Sequence, residues 1–195
     1  MRSLKISALL IFTLTATSVF AQNSNSRFSF ELNAGPSLAT QDLGGTDLNI
    51  GLGFEGTIIY RFMPHLGAYA GWGWNKFASD EQFEGIDADF EETGYVFGLE
   101  FKHPIQTSDI NWLIKAGGLY NHLEIENSDG DIVWDTGHGL GYQLVAGIEL
   151  PVGEKWRLRP TIKYHSLSRE IDVNGSNRDL DLRYLGARIG LVRNF

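Results

Sequence analysis

Residues 182–195, read in steps of two, separate into two chemically distinct faces. Phe195, Arg193, Leu191, Ile189, Ala187 and Leu185 form one, and Asn194, Val192, Gly190, Arg188, Gly186 and Tyr184 form the other. Alternation of this length predicts a β-strand, because successive side chains on a strand point to opposite faces. Seven earlier segments repeat the pattern, over 27–37, 48–62, 66–75, 94–102, 111–123, 139–150 and 156–165. In each, one face is apolar, as in Ile50, Leu52, Phe54 and Ile58, or Leu140, Tyr142, Leu144 and Ala146. The opposite face mixes glycine, polar and charged residues.

That polarity decides the class. An apolar outside and a polar inside suit a closed barrel that meets lipid, with strands near the roughly 9–11 residues needed to cross it. A lipocalin-like soluble barrel needs the reverse, and its Gly-x-Trp signature, which Gly71-Trp72-Gly73-Trp74 resembles only superficially, belongs near the start of the chain rather than on the third strand. Short connections near 63–65, 103–110 and 151–155 alternate with long polar ones near 38–47, 76–93, 124–138 and 166–181. The fold class expected is all-β: an eight-stranded antiparallel transmembrane β-barrel wound as an up-and-down meander. Both termini then lie on the periplasmic side and four long loops on the outside.

Charge and aromatic placement agree with this parity. Glu31, Glu55, Arg61, Glu100, Lys102, Lys115, Glu149, Arg157, Arg159, Lys163 and Arg188 all fall on inward positions as barrel-interior charges. A cation turned to lipid at the bilayer midplane would cost roughly 2–4 kcal/mol. The outward exceptions, Arg183 and Arg193, sit near strand ends. Phe28, Phe62, Phe101, Trp112, Trp156 and Phe195 gather at one end of the barrel, and Trp74, Tyr95, Tyr120, Tyr142 and Tyr164 at the other, as two interfacial girdles. Pro160 lies mid-strand without a backbone N–H, which predicts a local irregularity.

The amino terminus changes the picture of what folds. Residues 1–21 combine Arg2 and Lys5 with a short apolar run, and small residues at Val19 and Ala21 precede Gln22. They read as a cleaved secretory signal peptide, leaving 22–195 as the barrel domain. Losing Arg2 and Lys5 takes the net charge from −8 to −10, which argues against a nucleic-acid partner. With no cysteine in the chain, lipidation at a first cysteine, disulfides and thiolate chemistry are excluded.

With its signal peptide, eight alternating segments and a closing Tyr184, Ile189, Leu191, Phe195 pattern, the chain resembles the small outer-membrane β-barrel family. Outer membrane protein X and the porin-like barrel of outer membrane protein A are members. The resemblance implies residence in the outer membrane of a Gram-negative bacterium, contact with its lipid and lipopolysaccharide, and a monomeric state. It also implies that Tyr184, Ile189, Leu191 and Phe195 act as the assembly signal read by the barrel-assembly machinery.

Specific chemistry is sparse. Eight strands leave an interior just wide enough to be filled by side chains, so the inward charges are expected to pair rather than to line a channel. His165, Ser166, Ser168 and Glu170 superficially resemble a hydrolytic set. In the lipid A deacylase pattern, however, a serine follows the histidine by two positions on the lipid-facing side, where this chain has Leu167. The carboxylate-rich stretch 80–92 and the turn at 127–131 lack the glycine and glutamate spacing of a calcium loop. No catalytic, cofactor or metal residue is assigned. The expected role is non-enzymatic: structural or surface-interaction work, including adhesion, by way of the four long loops, with an unidentified surface ligand. A narrow porin-like channel is the alternative, and a lipid A-modifying enzyme comes last.

Overall fold

A computed structural model of the chain describes residues 27–173 and 175–195; the signal-peptide reading of 1–21 lies outside the described residues. Nine strands follow one another: β1 (Phe28–Ala39), β2 (Gly51–Arg61), β3 (Leu66–Phe83), β4 (Ile86–Pro104), β5 (Asn111–Asn127), β6 (Ile132–Asp135), β7 (Gly139–Pro151), β8 (Trp156–Val173) and β9 (Ser176–Asn194). All pairings are antiparallel. The order β4-β3-β2-β1-β9-β8-β7-β5, together with the β4–β5 pairing, closes a ring of eight. β6 hangs outside that ring on the edge of β5. The final strand pairs with the first, from Ser29 opposite Asn194 to Ala39 opposite Tyr184, so no long edge is left open between them.

Side-chain parity follows the sequence. Ile50, Leu140 and Ile162 leave 69, 74 and 64% of their surface outside, in a band continuous with Leu32, Ile58, Leu99 and Ile189. An apolar belt of that extent is a surface for hydrocarbon rather than water. Aromatic rings flank it: Phe28 with Tyr60 and Phe101 with Trp112 at the end carrying Phe195, Tyr142 with Tyr164 at the other. Inward glycines make room for large inward residues. A side chain at Gly98 or Gly117 would collide with the Tyr69 hydroxyl, which lies across the bore. At Pro160 the ladder to β7 skips from Thr161–Gly147 to Leu158–Leu150, while the ladder to β9 runs on unbroken.

The structure corrects the loops. Two of the four long connections, 76–93 and 166–181, are strands that run on past the aromatic ring. β3 and β4 continue to a two-residue turn at Glu84 and Gly85, with φ of 49° and 86°. Positive φ at both positions matches the twist of a tight hairpin. β8 and β9 continue until Val173 faces Ser176. Only 40–50 and 128–138 remain as loops, and the second contains β6.

Candidate functional site

The barrel interior is the candidate site, and it is built in layers. Near the end that bears Phe195, Arg159 of β8 is completely buried between three carboxylates. Its Nη1 donates to Glu31 at 2.6 Å and to Glu100 at 2.7 Å, and its Nη2 donates to Glu149. Lys115 reaches Glu31 at 2.6 Å, Arg61 reaches Glu100 at 2.8 Å and Lys102 reaches Glu149 at 2.7 Å. Every carboxylate of the layer therefore meets at least two cations, the condition under which buried charge is tolerable. β1 and β5 stand diametrically opposite in the ring, so the contact between Glu31 and Lys115 spans the whole bore.

Further layers also span it. Ile59, Tyr69, Val96 and Leu119 pack together, and Gln143 donates to the Tyr69 hydroxyl at 3.3 Å. Lys163 pairs with Glu55 at 2.7 Å. Arg188 meets no carboxylate among the described residues; its guanidinium donates to the carbonyls of Gly35 and Pro36, to the Ser37 hydroxyl and to Asn75 Oδ1. Above these, His165 Nε2 lies 3.0 Å from Glu92, and Glu92 accepts hydrogen bonds from Asn121 and from the Tyr184 hydroxyl.

Beyond that layer the inward face turns apolar. Phe77, Phe90, Leu123, Ile125, Leu167, Leu180 and Leu182 form a core inside the extended strands. Leu43 and Leu48 from the 40–50 loop fold down onto it. The loop tip is held by reciprocal backbone hydrogen bonds between Leu43 and Thr46. This far end of the bore is thus filled by a hydrophobic plug.

The structure brings together most of the charges read as interior, with one revision. Arg157, at the start of β8, donates to the Gly153 and Trp156 carbonyls and takes no part in the ion pairs among the described residues. Tyr184 lies on the inward face that the alternation gives it, 2% exposed and stacked on His165 at 4.5 Å, opposite the outward Ile189 and Leu191. In the stretch that only superficially resembles a hydrolytic set, His165 and Leu167 are both buried inward. Glu92 is missed by the sequence reading because 76–93 is taken there as a loop; counting back by twos from Glu100 along β4 would have found it.

The description of the outer membrane protein beta-barrel domain family matches residues 7–195. Among solved structures, Neisserial surface protein A superposes with a TM-score of 0.64 at 15% identity, over 87% of this chain and 98% of that one. Outer membrane protein OprG from Pseudomonas aeruginosa gives 0.54 at 12% identity, over 87% and 98%. No curated protein sequence matches the chain. At these identities the two structures share a fold with this chain and nothing finer. A closed eight-stranded ring, a lipid-facing apolar belt and a match over nearly the whole sequence give one conclusion: the chain belongs to the outer membrane protein beta-barrel family, which places it in the outer membrane of a Gram-negative bacterium.

Proposed function

We propose that this protein is a non-conducting, non-enzymatic barrel that works through its far rim. In this reading the end with Phe195 is periplasmic, and the β3–β4 and β8–β9 hairpins stand in the extracellular medium. The observation that carries it is the set of contacts across the bore, above all Lys115 to Glu31 between opposite walls. Side chains that grip each other across an eight-stranded lumen occupy the space that water and solute would need. The surface that remains for work is acidic. Asp80, Glu81, Glu84 and Asp87 surround one hairpin tip, and Glu170, Asp172 and Asp179 lie along the other. Such a rim suits lipopolysaccharide-bound cations or a basic surface partner. Single-channel recording on the mature chain in a planar bilayer tests this. The expected trace is silent after insertion is verified; regular conductance steps would replace the reading by a narrow channel.

A further inference from the structure

Just past the Tyr95–Tyr120 pair, on the outer face of β5, lies a second cluster that has no part in the bore. His122 and Glu124 are two residues apart and share that face. β6 pairs with β5 so that Asp135 stands directly opposite Glu124. His122 Nδ1 is 2.9 Å from Asp135 Oδ1 and 3.8 Å from Glu124 Oε1, and the three ligand atoms all lie within 4.8 Å of one another. The ring of His138 stacks on His122 at 4.3 Å and also contacts Tyr120 at 5.1 Å. The backbone holds the arrangement: Thr136 N–H donates to the Leu123 carbonyl, Leu123 N–H to the Thr136 hydroxyl, and Gly137 N–H to Asp135.

This cluster carries more negative charge than its own groups neutralise. Carboxylates directly opposite on paired strands repel, and Glu91 of β4 lies opposite Glu124 on its other side. The nearby Lys76 is engaged by Asp89 at 3.2 Å and Glu126 at 2.5 Å, so it is not the counter-ion of this cluster.

We propose that His122, Glu124 and Asp135 bind a divalent transition-metal ion of the zinc class, with His138 closing over it. Zinc takes imidazole nitrogen and carboxylate oxygen at about 2.0–2.2 Å in a tetrahedron, which sets neighbouring donors about 3.3 Å apart. The His122–Asp135 edge is already near that length, and the His122–Glu124 edge needs to contract by about half an ångström. The imidazole selects against calcium and magnesium, which prefer all-oxygen sites. A bound ion joins β5 to β6 and fixes the 128–138 loop to the barrel wall. The inference is independent of the reading of the bore, since none of these groups faces it.

The test uses the mature chain without a histidine tag, refolded in a zwitterionic detergent and titrated with zinc by calorimetry and with cobalt by visible absorption. One ion per chain and the strong absorption of tetrahedral cobalt are expected. His122→Ala and Asp135→Asn should each weaken binding by at least about tenfold, the loss typical of disturbing even a ligand's supporting contacts. Calcium in excess should not compete. The other stacked pair, His65 and His103, lies at the opposite end with rings 4.6 Å apart and serves as control. Binding that is absent, that survives His122→Ala, or that disappears in a His65→Ala/His103→Ala chain overturns the proposal. Heat-modified gel migration verifies that each variant has formed its barrel, and the near-isosteric Asp135→Asn keeps the test valid if His122→Ala does not fold.

Discussion

Replacing Arg159 with methionine is the sharpest probe of the interior. The guanidinium is fully buried and donates to Glu31, Glu100 and Glu149. Hydrogen bonds to charged groups are worth about 1.5–3 kcal/mol each, so the three amount to roughly 5–9 kcal/mol before offsets. Two offsets reduce the loss. The buried cation no longer has to be desolvated, and Lys115, Arg61 and Lys102 remain at 2.6, 2.8 and 2.7 Å, leaving three cations for three carboxylates. Methionine also fills most of the vacated volume. The net expectation is about 3–5 kcal/mol, the usual cost of removing one member of a buried ionic cluster. Urea unfolding in detergent or lipid vesicles, followed by tryptophan fluorescence, reads this as a lower midpoint at unchanged slope. Arg157→Met is the internal control. It lies two residues away on the same strand face but binds only turn carbonyls, and should cost under about 1 kcal/mol. Equal midpoints for the two variants would refute the account of a packed ionic layer. A change in ion selectivity without loss of stability would say that Arg159 lines water.

Two further outcomes follow. Phe77→Ala removes a fully buried ring that meets Tyr184 edge-on at 5.5 Å, and should cost about 3–5 kcal/mol in the same unfolding assay; a cost below about 1 kcal/mol would mean that the hydrophobic plug is loosely packed. Deleting Phe195 should lower the yield of assembled barrel in cells and leave refolding of the purified chain into detergent intact; equal yields in cells would remove Phe195 from the proposed assembly signal.

The period-two alternation of the chain determines its strands, their facing and the inward set of charges, because the membrane gives each face a solvent of opposite kind. The same rule hides the hairpin extensions. Past the aromatic ring the outside is water, and the alternation inverts. Phe77, Phe90, Ile171, Leu180 and Leu182 take inward positions, while Asp89, Glu91, Glu170, Asp179 and Asp181 face out. Scanned for apolar-out strands, 76–93 and 166–181 therefore read as polar loops, although their pattern is that of a water-exposed sheet with one buried face.

Partner choice belongs to the tertiary structure. The sequence places Glu31, Lys115 and Arg159 inside but says nothing of which meet, since contact across the bore depends on strand tilt, register and the closure of β1 onto β9. Arg188 ends on backbone carbonyls rather than a carboxylate for that reason. The approach of Asp135 to His122 and Glu124 likewise depends on β6 folding back along β5, a pairing that four residues cannot announce in sequence. Facing is a property of one strand and its solvents, whereas contact is a property of the closed ring.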